Sequence, residues 1–232
     1  MSFGGSLAPR GITVHRLLKG GSLSRTPARE LSLREIFKHG FPHPGLCREV
    51  FVWRLRNLPN LWRALWKILI ARLCGIPHFY GQLSLVVKRE GRIIDFGLAS
   101  LRVVTDTGVG YIVDAFQNLV ELENMKFHGY GTGTNAEAAG NTALQTELTT
   151  QYATDSTRPT GSTTEGASAN IYRTVATLSP DSGGTIAITE HGIFSASSSG
   201  VLLDRSVFSA INLVAGSDSL QTTYDFTITS GS

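Results

Sequence analysis

Leu220-Gln-Thr-Thr-Tyr-Asp-Phe-Thr-Ile-Thr229 alternates without a break. Leu220, Thr222, Tyr224, Phe226 and Ile228 fall on one side of an extended chain, and Gln221, Thr223, Asp225, Thr227 and Thr229 on the other. Successive strand side chains point to opposite faces, so this period of two predicts a β-strand with one apolar and one polar face. Working back along the chain, runs of the same kind occur at 201–213, 185–195, 169–178, 143–150, 125–128, 92–104 and 83–88. Glu90-Gly91 supplies a turn between the first two of them in chain order. Only Val109, Ile112, Val113 and Phe116 follow a helical spacing there, with a cap expected near Thr107. Short strands separated by Gly, Ser, Asp and Asn predict a mainly β chain: an antiparallel β-sandwich of jelly-roll type over residues 81–232. The βαβ alternation of a nucleotide-binding sheet is absent. The Gly/Thr/Ser/Asn-rich loops 129–140 and 155–168 are expected to be contact surfaces.

Upstream of that region the chain is different material. Residues 1–90 hold 15 Lys+Arg against 4 Asp+Glu, whereas residues 91–232 hold 6 against 14, so the small net charge of +3 conceals two opposite halves. Trp53, Trp62, Trp66, Cys47 and Cys74 all lie in the basic part. Residues 1–80 therefore read as an extended, partly helical, Pro/Gly-punctuated basic arm joined to a β domain. Short helices are expected at 33–38, capped by Ser32 with Glu35, at 47–58, stopped by Pro59, and at 61–73, capped by Asn60. The last is apolar nearly all round and needs burial on most sides, yet it is too short to span a bilayer. Three covers compete: its own β domain, a membrane surface with Trp and Arg at the interface, or a protein partner. The arm is too broken by Gly and Pro to bury the helix alone, so a protein partner or neighbouring subunit is the favoured expectation. The residues expected to carry that contact are Trp53, Arg54, Arg56, Leu61, Trp62, Arg63, Leu65, Trp66, Lys67, Leu69 and Arg72. Nucleic acid is a weaker candidate, because the cations are spread singly and no recognised binding motif accompanies them.

Composition excludes several classes. A chain that is 41% hydrophobic and 17% charged can bury a core. Two cysteines exclude a disulfide-stapled scaffold, and the first residues lack the apolar core of a signal peptide, so synthesis in a cytoplasm is expected.

Reactive chemistry finds little support. His39, His43, Cys47, Cys74 and His78 are zinc-type ligands, but Gly40, Pro42 and Pro44 break the helix that would align them. No metal or cofactor is expected. Gly129-Tyr-Gly-Thr-Gly-Thr lacks the Lys-Ser/Thr of a phosphate loop, and Asp95-Phe-Gly97 has none of the other kinase elements. Glu190-His191 has neither a nucleophile elbow nor an orienting acid, so no catalytic residue is assigned.

Five motifs occur in order: Thr107-Gly-Val-Gly-Tyr-Ile-Val-Asp-Ala-Phe116, Met125-Lys-Phe-His-Gly-Tyr-Gly-Thr-Gly-Thr-Asn-Ala-Glu-Ala138, Thr164-Glu-Gly-Ala-Ser-Ala-Asn-Ile-Tyr172, Ile188-Thr-Glu-His-Gly-Ile-Phe-Ser195 and Leu203-Asp-Arg-Ser-Val-Phe208. Over about residues 95–232 the chain resembles a group of tailed-bacteriophage virion structural proteins. The resemblance implies a particle component without enzymatic residues, made in the host cytoplasm and resident in the virion. A capsid decoration or cement protein bound to the major capsid protein is the leading expectation, with a neck, tail or fibre-base component, or a host-receptor-binding module, as alternatives. A homo-oligomer is expected, and a trimer by analogy with other particle proteins.

Overall fold

The computed structural model describes residues 15–17, 23–25, 33–74, 78–166 and 168–229. In chain order the elements are β1 (His15–Leu17), β2 (Leu23–Arg25), α1 (Leu33–Gly40), α2 (Arg48–Leu73), β3 (His78–Arg89), β4 (Arg92–Val103), α3 (Asp106–Phe116), β5 (Phe127–Gly131), β6 (Thr164–Glu165), β7 (Ile171–Leu178), β8 (Thr185–Phe194), β9 (Leu202–Val214) and β10 (Ser219–Thr229). β1 and β2 pair as a small antiparallel ribbon. The remaining strands make two antiparallel sheets, one in the order β4-β3-β10-β7-β6 and one in the order β5-β8-β9. The chain is mainly β, as its alternation predicts.

The two sheets share one apolar core. Leu83, Leu85 and Tyr224 from the larger sheet cluster with Ile188, Ile211 and Leu213 from the smaller. Burying each such side chain contributes about 1.5–3 kcal/mol. Glu90 and Gly91 both take positive φ, 48° and 74°, which is what a tight two-residue turn between β3 and β4 requires.

β10 departs from the half-polar strand its alternation predicts. It is the middle strand of its sheet, with Tyr224 opposite both Leu83 and Thr174. Its polar residues Thr223, Asp225 and Thr227 are buried along with its apolar ones, and Ile228 is exposed. Arg173 on β7 holds the Asp225 carboxylate through two hydrogen bonds of 2.6 and 2.7 Å, which satisfies the charge inside the sheet.

Three further expectations are corrected. Residues 143–150 form no strand, because the Gln145 and Thr146 N–H groups donate to the Glu190 carboxylate instead of to a ladder (3.0 and 2.7 Å). The cap of α3 is Thr105, whose hydroxyl accepts from the Gly108 N–H, and not Thr107. The third concerns α2, which is one helix and not two. Pro59 lies inside it on an exposed position, where it removes one helical hydrogen bond. Tertiary anchors on both sides of the proline hold the helix continuous: Asn57 before it and Leu61 after it are fully buried. Asn60 donates to Asn57 and caps nothing (3.2 Å). Among the described residues no helix is long and apolar enough to cross a membrane.

Candidate functional site

α2 carries all eleven residues expected to meet a partner, and its helical period sorts them into separate faces. The inner face holds Val50, Trp53, Arg54, Asn57, Leu61, Leu65 and Ile68, all buried. Trp53 sets its ring edge-on to Phe96 at 5.1 Å and donates from Nε1 to the Ser209 carbonyl of β9 at 2.7 Å. Asn57 donates to the Ala99 carbonyl of β4 (2.7 Å) and accepts from the Ser209 N–H (2.9 Å), so one amide bridges backbone groups of both sheets. Arg54 donates to the Phe96 carbonyl and to the Lys38 carbonyl in the last turn of α1, each at 3.0 Å. A cation at a helix C-terminus satisfies orphan carbonyls and meets the negative end of the dipole. Gly97 makes room for it: at φ 79°, a Cβ there would sit 2.4 Å from Arg54 Nη2. Further along, Leu61, Leu65 and Ile68 close on Tyr80, Leu98 and Leu101.

The basic arm is therefore corrected over residues 33–73. It packs on the sheets, and its apolar helix is covered on one side by its own chain. Trp53, Arg54, Leu61 and Leu65 belong to that intramolecular contact, not to a partner. Trp62 and Trp66, each 55% exposed, face outward with Phe51, Leu55, Ile70 and Leu73 in one stripe. Arg56 and Arg63 are exposed beside the stripe, and Leu69 is half-buried. The side chains of Lys67 and Arg72 lie outside the described residues.

Beside the tryptophans runs a groove of about 740 Å³. Trp62 and Trp66 form one wall and the Ala136–Ala139 stretch the other, with Leu101, Arg102, Thr105 and Arg205 in the floor. Arg102 pairs with Glu137 from the wall, and burial pulls its guanidinium below the ordinary arginine value. Arg205 pairs with Glu190 at 2.7 Å, and that carboxylate also accepts the N–H groups of Gly133, Gln145 and Thr146. Sequence reasoning missed Arg102, Glu137 and Arg205, and weighed Glu190 only beside His191, not as the partner of Arg205. Their signal is a charge placed singly within or beside an apolar strand, where a buried partner is the only low-cost solution.

Four of the six cations in residues 91–232 are buried and paired: Arg102 with Glu137, Arg158 with Glu147, Arg173 with Asp225 and Arg205 with Glu190. Only Arg92 and Lys126 remain to balance the unpaired acids, so acids predominate on the surface of this half.

The interior also holds a sealed polar cluster. His128 Nδ1 lies 3.0 Å from both His191 Nε2 and Thr222 Oγ1, and His128 Nε2 lies 3.0 Å from Thr174 Oγ1. Burial holds His128 well below the ordinary histidine value and His191 at about 3, so both rings are neutral. Nearby, burial pushes the Asp204 carboxyl up to about 7. Glu190 and His191 are consecutive strand residues and serve opposite sides, Glu190 the groove floor and His191 the interior histidine, so they make no acid–base pair.

Among the described residues no three His, Cys, Asp or Glu side chains converge on a point that a metal ion could occupy. Cys47 and Cys74, both exposed, flank the two ends of α2. A helix of this length holds them roughly 40 Å apart at 1.5 Å rise per residue, far beyond a shared metal. His78 lies in β3, its side chain outside the described residues. Compared with known protein families and with curated protein sequences, the chain matches none.

Proposed function

We propose that this chain is a virion structural protein of the tailed-bacteriophage type, a capsid decoration or cement protein that binds neighbouring virion proteins and acts without enzymatic chemistry. The observation that carries the reading is the outer face of α2. Two half-exposed tryptophans, four further exposed apolar side chains and flanking arginines form a stripe on a helix that the inner face already fixes to the sheets. Trp and Arg are the residue types that most often dominate interface energy. A rigid helix presenting them loses little entropy on docking. The motifs of residues 107–208 supply the particle setting.

In this reading the two sheets form a β-sandwich of jelly-roll type. The support is their common apolar core and the insertion of β10, the last strand, between β3 and β7. The acidic surface of residues 91–232 keeps the particle-bound domain soluble, and the basic side of α2 steers it to its site. The major capsid protein and copies of this chain are the partners, the virion is the location, and the host cytoplasm is where the chain is made.

The test is where the protein lies in an imaged virion carrying an epitope-tagged copy. Label over the whole shell with the symmetry of the lattice is the expected result. A single ring at one vertex would assign the neck, and a distal position would assign receptor binding; either overturns the decoration role.

A further inference from the structure

A second exposed apolar surface, rimmed by charge opposite to that of the outer face of α2, lies on the same chain. Val109, Ile112, Val113 and Phe116 have the spacing of one apolar helix face on α3, but the structure does not bury them together. Instead Tyr111 and Ile112 are buried, while Val109, Val113 and Phe116 point outward at i, i+4 and i+7. Leu119 and Leu122 extend this exposed apolar row beyond the helix. Phe116 is 86% exposed, the most exposed large apolar side chain among the described residues.

The charges around the two rows are opposite. Asp106, Glu121 and Glu123 are exposed along α3 and the segment after it, and no Lys or Arg occurs between Arg102 and Lys126. α2 carries a single acid, Glu49, already held by Arg89 at 3.0 Å, and its exposed Arg56 and Arg63 border the tryptophans. Apolar rows rimmed by opposite charge are complementary in the two terms that set association: burial and steering.

Geometry excludes satisfaction within one molecule. Thr105, at the start of α3, lines the groove beside Trp62 and Trp66. Phe116 closes the other end of α3, roughly 16 Å away at helical rise, and its exposure shows that it fills no groove of its own chain.

We propose that the occupant of the α2 face is a second copy of this protein. Phe116 and its apolar row on one copy enter the groove beside Trp62 and Trp66 of the next, with the acids of the α3 segment against Arg56 and Arg63. Because knob and groove are different patches, two closures satisfy both: a two-fold dimer in which each copy's knob fills the other's groove, or a contact that repeats from copy to copy as a ring or chain. This rests on reading α2 as an assembly surface, but not on residence in a virion.

The test uses the purified full-length chain in solution, so its failure and that of the virion reading are distinguishable. Sedimentation velocity over a concentration series should show the wild type assembling, more weakly as salt rises. Phe116→Ser and the double variant Trp62→Ala/Trp66→Ala change exposed side chains only. Each should keep the wild-type circular dichroism and melt, and each should raise the dissociation constant by about tenfold or more. Mixing the two variants should restore one contact and give a 1:1 heterodimer, because the first keeps the groove and the second keeps the knob. A wild type that stays monomeric up to its solubility limit, a Phe116→Ser variant that assembles like the wild type, or a variant mixture that stays monomeric would each overturn the proposal.

Discussion

Trp53 and the pair Trp62 and Trp66 share one helix and one residue type, yet they do different work. Trp53 is 5% exposed, hydrogen-bonded to β9 and packed on Phe96, whereas Trp62 and Trp66 stand half out of the surface over a groove. The difference comes from register alone. On a helix of 3.6 residues per turn the positions in phase with Asn57, Leu61 and Leu65 meet the sheets, and those in phase with Phe51 and Leu55 do not. Apolar composition on most sides of a helix therefore does not announce a single partner. It can be divided between a fold and a docking surface.

The largest effect that sharpens this comparison is expected on the inside. Trp53→Ala should lower unfolding free energy by about 3–5 kcal/mol in a urea melt, the usual cost of truncating a buried large aromatic. Asp225→Ala should cost a similar amount, about 3–5 kcal/mol, since it strands the buried Arg173 guanidinium. A loss under about 1 kcal/mol at Trp53 would place it with its outer neighbours and end the comparison.

An intermediate effect is expected from pH, and it belongs wholly to the interior. The unfolded chain titrates its histidines near about 6.5, while folded His191 is held at about 3 and His128 well below its ordinary value. Between those values the unfolded state binds more protons, so these residues make stability fall as pH drops below about 6.5. Asp204 acts in the opposite sense. Its folded carboxyl titrates at about 7, above the unfolded carboxylate, so its contribution is full at low pH and is lost as pH rises toward that value. Denaturant melts across this range should show His191→Gln losing less stability than the wild type on acidification. They should show Asp204→Asn gaining on the wild type as pH rises. Variants whose pH profiles parallel the wild type would contradict the buried assignments.

Much of this architecture is legible in the sequence, and what is missed has physical causes. β3, β4 and the Glu90-Gly91 turn follow from alternation and turn chemistry, because local preference and tertiary outcome agree there. β10 was readable as a strand but not as a central one: alternation reports two chemical faces, and only the pairing of Arg173 with Asp225 shows that the polar face is buried too. Pro59 misdirects the reading of α2 because the cost of one lost hydrogen bond is local, whereas the contacts of Asn57 with Ala99 and Ser209 come from far along the chain. The groove stayed hidden for the same reason. Arg102, Glu137, Glu190 and Arg205 converge through folding, with nothing in their spacing to mark it.

On the outer face the effect on stability should be small. Trp62→Ala/Trp66→Ala should change unfolding free energy by less than about 0.5 kcal/mol while weakening self-association. Smallest of all is Arg63→Ala, which should slow association and flatten its salt dependence with no measurable change in the melt. A slower dissociation step in that variant, with unchanged association, would remove the steering role.

The two-face account of α2 is tested most directly by acrylamide quenching of tryptophan fluorescence over a protein concentration series. One variant, Trp62→Phe/Trp66→Phe, retains only Trp53, and the other, Trp53→Phe, retains only the outer pair. Trp53 should be quenched weakly at every concentration. Trp62 and Trp66 should be quenched strongly in dilute protein and become protected as the concentration rises. A Trp53 as accessible as the outer pair, or an outer pair whose quenching ignores concentration, would contradict the account.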